Sequence, residues 1–188
     1  MSELFDISKY RLVRLSPQYE FKPFDCGDSD LNEFLLNDAL DHMDQLLAVT
    51  YILEDDSEII AFFSLLNDRI SYEQFSKSSW LKKIQKIFVH GTAKRNYKSH
   101  PAMKIGRFGV SENYQSKGVG EALLDYIKTL FIDNNRTGCR FITLDAYNNM
   151  RSISFYLRNG FVLFTEDDKN ADTRQMYFDL YPHKLNTK

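Results

Sequence analysis

The sequence predicts an α/β fold (α+β in its element order): a mixed central sheet of about six to seven strands with a parallel pair and flanking helices. Three observations carry this. From Met103 onward the apolar period alternates between two and 3.6 residues, giving strand, helix, strand, helix in turn. A strand–helix–strand order demands a right-handed crossover and hence a parallel pair. Further upstream, two runs rich in Val, Ile, Thr, Tyr and Phe flank Glu54-Asp55-Asp56-Ser57, which reads as a β-hairpin. Finally, 188 residues with 43% hydrophobic and 14% aromatic content fit one globular domain, 1–188. A chain of that size buries roughly 70% of its unfolded surface and needs no staples.

Taken in order, Tyr10 to Leu15 alternates weakly and reads as a first strand. Asp25 to Asp30 is turn chemistry. Asp30 reads as an N-cap with Glu33 three residues on, as in a capping box. Leu31, Phe34, Leu35, Ala39, Leu40 and Met43 then recur at helical spacing. Leu46 to Leu53 and Glu58 to Leu66 are the hairpin strands. Trp80, Leu81, Ile84, Ile87 and Phe88 form the apolar stripe of a short helix, and Gly91 to Pro101 reads as an exposed loop. Met103 to Val110 is a strand and Glu112–Asn113 a turn. A helix runs from about Gly118 to Asp133, stopped by Asn134, Asn135 and Gly138. Phe141 to Ala146 is a strand, Asn149 to Arg158 a helix ended by Gly160, and Phe161–Thr165 and Thr173–Leu180 are the last strands.

Composition excludes several classes. Cys26 and Cys139 are the only cysteines; they form no CxxC, which argues against a disulfide framework or thiolate zinc site. The four histidines lack HExxH spacing and the Asp25–Asp30 carboxylates lack EF-hand spacing, so no metal is expected. The N-terminus has no signal-peptide core and the longest apolar stretch, Ile59 to Leu66, is too short for a bilayer, so a cytoplasmic protein without a membrane partner is expected. The net charge of −2 hides a segregation. Pro23 to Asp68 holds 12 acidic residues and no Lys or Arg, while Arg69 to Arg107 holds 10 basic residues against Glu73. Such asymmetry steers charged ligands or gives two solvated faces.

The segment that carries chemistry is Gln115-Ser116-Lys117-Gly118-Val119-Gly120, between a strand and a strong helix. Glycines admit a ligand to the backbone, and a helix N-terminus presents unpaired N–H groups and a positive dipole end. Together they suit a pyrophosphate, and Lys117 adds a charge. The Walker pattern is absent, and GxGxxG fails at Leu123, so ATP and NAD fit poorly. A lone glycine-rich turn is equally a helix cap. The wider context decides more. Strand, Gln-x-x-Gly-x-Gly, helix resembles the acetyl-CoA motif of the GNAT superfamily of N-acetyltransferases. Leu144-Asp145-Ala146, Asn149 and Tyr156-Leu157-Arg158-Asn159-Gly160-Phe161 resemble its second cofactor segment, with Ser152 and Phe155 standing where Ala and Leu are usual. The resemblance is concentrated between Met103 and Phe161.

The resemblance implies a GNAT fold whose parallel pair splays open, and acetyl-CoA as acetyl donor. It implies that the backbone of Phe108, Gly109 and Val110 bonds pantetheine and acetyl carbonyl, and that Gln115, Ser116, Lys117, Gly118, Val119 and Gly120 hold the pyrophosphate. Asn149, with Ser152 in the same segment, takes the pantetheine arm, and Tyr156 protonates the leaving thiolate as general acid. No base is legible; Glu112 and Asp145 lie near the right strands. The implied activity is N-acetyl transfer to a primary amine of a small molecule, peptide or protein. Two alternatives stay open. One is a toxin-like member acting on aminoacyl-tRNA, suggested by a likeness at Phe24 to Ala39 and by the basic segment Lys77 to Arg107, which could contact phosphates, although the slight net negative charge runs against a nucleic-acid partner. The other is a non-catalytic acyl-CoA-binding module. A homodimer also remains open.

Overall fold

The computed structural model describes residues 5–71, 99–133, 135 and 138–186. The expected helix at Trp80–Phe88 and most of the loop from Gly91 lie outside these residues. Strand β1 is Arg11–Arg14, β2 Val49–Glu54, β3 Ile59–Ser71, β4 Ser99–Val110, β5 Phe141–Tyr147, β6 Val162–Leu163 and β7 Thr173–Asp179. Their order is β1-β2-β3-β4-β5-β7-β6, a mixed seven-stranded sheet as expected. Helices α1 (Ser29–Glu33) and α2 (Ala39–Asp44) precede the hairpin, α3 (Val119–Ile132) joins β4 to β5, α4 (Met150–Arg158) follows β5, and α5 (Leu180–Asn186) follows β7. Two boundaries differ from expectation. Ser99, His100 and Pro101 already belong to β4, whose apolar pattern only begins at Ala102. Leu180 opens a short helix instead of ending a strand.

The described residues group into two compact units. The first comprises the chain through Leu66 together with Lys104 onward through α3. In it β1, β2 and β3 pair antiparallel, with Leu12 opposite Leu53 and Ile52 opposite Phe62. Residues Ile59 to Leu65 are buried without a break, because helices and loops cover both faces of this stretch. Its aromatic core centres on Phe62, with Phe24 edge-on at 5.4 Å and Phe34 stacked at 6.2 Å between centroids. Glu54 is fully buried at the end of β2. It is held by Arg11, whose Nε donates to Oε1 at 2.8 Å, by the Tyr19 hydroxyl and by Lys22 at 3.4 Å. Burial alone would raise its pKa, but the bonds from Tyr19 and Arg11 outweigh that and lower it.

The helical hairpin departs from the sequence reading in two places. Asp28, not Asp30, is the N-cap: it is extended (φ −123°, ψ 113°) and its carboxylate accepts from the Leu31 amide at 3.1 Å. Asp30 instead sits in the first turn, where its charge suits the dipole. Between α1 and α2 the chain makes a π-helical turn, Phe34–Asp38, with the Ala39 amide donating to the Phe34 carbonyl. A regular helix would stack Asp38 over buried Phe34. The extra residue brings Ala39 there and leaves Asp38 exposed. Helix α2 ends in a Schellman motif: Leu47 N–H donates to His42 O at 2.8 Å and Leu46 N–H to Met43 O at 3.1 Å.

The second unit comprises Asn67–Met103 and Asn135 onward. Here β5 and β7 pair antiparallel along their whole length, from Phe141 opposite Asp179 to Tyr147 opposite Thr173. Arg140 clamps Asp179 with two bonds of 2.9 Å. The short β6 pairs with β7, and a two-residue strand offers little template for foreign chains. Phe141, Phe161, Met176 and Leu144 form the buried interior.

Candidate active site

In the first unit the segment after β4 is built around backbone bonds from other elements. Ser111 N–H donates to Ile60 O (2.8 Å) and Glu112 N–H to Asp25 O (2.9 Å). A 3-10 turn, Glu112–Tyr114, leads to Gln115. The Gln115 side chain is a brace: its Nε2 donates to the carbonyls of Cys26 (2.9 Å) and Val110 (3.0 Å). It thereby ties the turn both to the end of β4 and to the loop ahead of α1. The backbone then adopts left-handed geometry at Ser116 (φ 60°) and again at Gly118 (φ 83°), an alternation that curls successive N–H groups toward one side. Gly118 is the N-cap of α3 and has no side chain to cap it. The N–H groups of Val119, Gly120 and Glu121 therefore have no intrahelical acceptor. Val119 is buried, which anchors the first turn; Ser116 and Lys117 are exposed, with the Lys117 ammonium 5.3 Å from the Tyr114 ring centroid.

Upstream on β4, Phe108 and Val110 are half-buried and Gly109 is buried. A Cβ at Gly109 would lie 2.6 Å from Phe62 Cε1 and 3.3 Å from Phe24 Cζ. Aromatic packing thus explains the glycine. A cavity of about 330 Å³ opens beside the turn, lined by Phe24, Asp25, Glu58, Ser111, Glu112 and Asn113. One base candidate, Glu112, faces it, with its carboxylate packed against Gly27.

In the second unit Asn149 is the N-cap of α4. It is extended (φ −129°, ψ 158°), and its Oδ1 accepts from the Ser152 amide at 2.9 Å. Ser152 and Tyr156, four residues apart, share one helix face. Tyr156 is half-buried, its ring 5.0 Å from that of Phe155 and 5.6 Å from that of Phe161. Its position is fixed by the helix end: Phe161 N–H donates to Tyr156 O and Gly160 N–H to Leu157 O, both at 3.0 Å, with Gly160 left-handed at φ 83°. This is a Schellman motif with its apolar contact made by Tyr156 and Phe161. Burial raises the Tyr156 pKa above that of an ordinary phenol, so the hydroxyl stays protonated through the physiological range. Asp145, the other base candidate, is exposed on β5 opposite Gln175.

Each sequence-assigned residue therefore falls into one of two clusters, and within each the local geometry is defined. The brace made by Gln115 and the left-handed Ser116 had no signal in the sequence: the brace reaches a carbonyl 89 residues away at Cys26, and serine is not a residue type that favours positive φ. No helix among the described residues is long and apolar enough to cross a membrane. Among the same residues no group of three or more His, Cys, Asp or Glu is arranged to hold a metal ion. The uncapped start of α3 beneath a left-handed turn is anion-binding geometry, suited to a diphosphate.

Comparison with known proteins identifies the family. A family model described as Acetyltransferase (GNAT) family matches residues 11–161. Among solved structures, AtaT complexed with acetyl-methionyl-tRNAfMet superposes with a TM-score of 0.76 at 20% identity, covering 95% of this chain and 99% of that one. AtaTR bound with AcCoA gives 0.74 at 19% identity, covering 95% and 98%. A tyrosine-to-phenylalanine mutant of KacT gives 0.70 at 19% identity, covering 94% and 99%. At such identities these likenesses establish the fold, and it is the family match running from Arg11 to Phe161 that settles kinship: the chain belongs to the acetyltransferase (GNAT) family, whose acyl donor is acetyl-CoA.

Proposed function

We propose that this acetyltransferase moves the acetyl group of acetyl-CoA onto a primary amine, and that the amine is the α-amino group of an aminoacyl-tRNA. The observation that carries the donor half is the pair of left-handed residues, Ser116 and Gly118, opening the uncapped α3. Free amide N–H groups there, with Lys117, hold the diphosphate of coenzyme A. Gln115 positions this turn through its brace. Backbone groups of Phe108, Gly109 and Val110 run along the pantetheine like an added strand, and Asn149 with Ser152 bonds it from α4. The acceptor half is supported by the likeness to AtaT complexed with acetyl-methionyl-tRNAfMet over nearly the whole of both chains, and by the similarity at Phe24 to Ala39.

In the reaction the amine lone pair attacks the thioester carbonyl carbon; the C–N bond forms and the C–S bond breaks. The amine loses one proton to solvent or a nearby base, and the thiolate takes one from Tyr156. At reference values a phenol near 10 giving its proton to a thiolate near 8.5 costs about 2 kcal/mol. Burial of Tyr156 widens that gap, while a desolvated thiolate is raised in the same direction. Positioning of amine against thioester supplies several kcal/mol more.

The test follows free thiol release with acetyl-CoA over charged tRNA, amino acids, polyamines and peptides. Charged tRNA is expected to dominate, and Tyr156→Phe to lower kcat while leaving acetyl-CoA affinity within about twofold. A Tyr156→Phe variant with wild-type turnover removes the acid role, and a protein that binds acetyl-CoA yet releases thiol with none of these amines favours a non-catalytic acyl-CoA-binding module. A small cationic amine is the second reading, favoured by the exposed Asp38, Asp41 and Asp44 on the helical hairpin. If it holds, neutralising the three together raises the acceptor KM.

A further inference from the structure

The row of β4 side chains that faces the aromatic core is interrupted once. Ile105, Gly109 and Ser111 are buried, yet Arg107, in the same row, is exposed. Alternate residues of a strand share a face, and β4 stands fourth of the seven strands, so the layer covering this row opens at Arg107. The guanidinium is not loose in that opening. Its carbon lies 5.2 Å from the centroid of the Phe34 ring, and Nη1 donates to Gly106 O at 3.0 Å. Phe34 is itself pinned, stacked on Phe62 at 6.2 Å and met edge-on by His42 at 5.1 Å. The π-helical turn beginning at Phe34 sets that ring in place.

Both contacts orient the cation without neutralising it. Among the described residues Arg107 has no ion pair. The helical hairpin beside it has no Lys or Arg of its own, so Arg107 brings to it a single fixed positive charge. An aromatic platform takes the face of a guanidinium and leaves its N–H edges to bind an oxyanion bidentately. The residue is two positions from Gly109 and three from Val110, about 7 and 10 Å along the strand.

We propose that Arg107 is an acceptor-binding residue that takes a phosphate of the substrate, the phosphodiester nearest the aminoacylated end of the RNA. This rests on the aminoacyl-tRNA reading above. The fork grips the phosphate while the amine projects along β4 toward the thioester, and Phe34 holds the guanidinium in place from below.

The experiment compares two acceptors carrying the same aminoacyl group, one a charged tRNA and the other the aminoacyl ester of adenosine without phosphate. For wild type, Arg107→Gln and Arg107→Lys, the readout is the ratio of kcat/KM between them. Arg107→Gln is expected to lower that ratio about tenfold or more, the size of a charge-assisted bond, and Arg107→Lys to restore part of it. The slope of log KM for tRNA against log salt is expected to flatten by about 0.7 in the Gln variant. A ratio unchanged in the Gln variant overturns the assignment, as does an equal loss on both acceptors, which marks a packing role for Arg107 over Phe34. Urea midpoints of the variants separate that case from unfolding. A wild type active on other amines but inert toward charged tRNA refutes the acceptor reading, and the phosphate falls with it.

Discussion

Replacing Gln115 by Ala removes a donor shared between two carbonyls and leaves a gap where the brace stood. The Nε2 bonds to Cys26 O and Val110 O measure 2.9 and 3.0 Å, each a good neutral hydrogen bond worth about 0.5–1.5 kcal/mol net. Their loss costs about 2 kcal/mol together, since the carbonyls are only part-buried and water repairs some of the deficit. In a chain of this size that lowers Tm by roughly 4–8 °C. Gln115→Glu is the sharper probe. It keeps the shape but sets a carboxylate against two carbonyl oxygens, so it is expected to destabilise more than Ala at pH 7. Because the same brace holds the Ser116–Gly118 turn, acetyl-CoA affinity should weaken in step with stability in both variants. Paired urea unfolding and acetyl-CoA titration calorimetry read the two quantities. A Gln115→Ala protein with unaltered unfolding but much weaker acetyl-CoA binding refutes the reasoning, because it means the side chain serves the ligand and not the fold.

Leu46→Gly should stabilise the protein. Leu46 occupies the left-handed C′ position of α2 at φ 59° with 91% of its surface exposed, so Gly relieves about 1–2 kcal/mol of backbone strain against a smaller unfolded-state entropy loss; a net gain of about 1 kcal/mol is expected in urea unfolding, and a loss would contradict it. Gly109→Ala drives a methyl into Phe62 at 2.6 Å and should cost about 1–3 kcal/mol by overpacking, with a raised acetyl-CoA KM as β4 shifts; a Phe62→Leu background should recover part of both. Asp55 provides a pH signature. Amides of Glu58 and Ser57 and the Ser57 hydroxyl hold its pKa down at about 2, from 3.8. The stabilisation is thus full above pH 4 and lost as pH falls toward 2. Urea midpoints should drop across that window, and Asp55→Asn should flatten the drop.

Most of the fold was readable because each element announces itself locally. The period of α3, the branched residues of β2 and β3, and Gly160 after α4 need no distant partner to be recognised. What escaped required geometry. Asp30 and Asp28 are both good cap residues, and only the extended backbone at Asp28 decides between them. Nothing local marks the π turn, because it answers to the need to keep Asp38 off the Phe34 face. At the candidate site, residue types and spacing exposed the Gln115–Gly120 turn and the Asn149–Tyr156 helix. They did not reveal that Gln115 spends its amide on Cys26 and Val110, or that Gly109 is a glycine for the sake of Phe62. Arg107 counted only as the last member of a basic run, since a basic residue within a strand gains individual meaning only when its neighbours prove to be buried.

The turn that terminates α4 ties Tyr156, the proposed acid, to the architecture in a way that limits evolutionary drift. The carbonyl of Tyr156 closes the knot whose other members are Gly160 and Phe161, and a methyl on Gly160 would press on Phe178 of β7 at 2.9 Å. Sliding the tyrosine by one residue would undo the terminator, and substituting the glycine would tilt the phenol. Variation among relatives should therefore accumulate along the outward side of this helix, at Met150, Leu157 and Arg158, while the knot itself travels through descent as one indivisible piece.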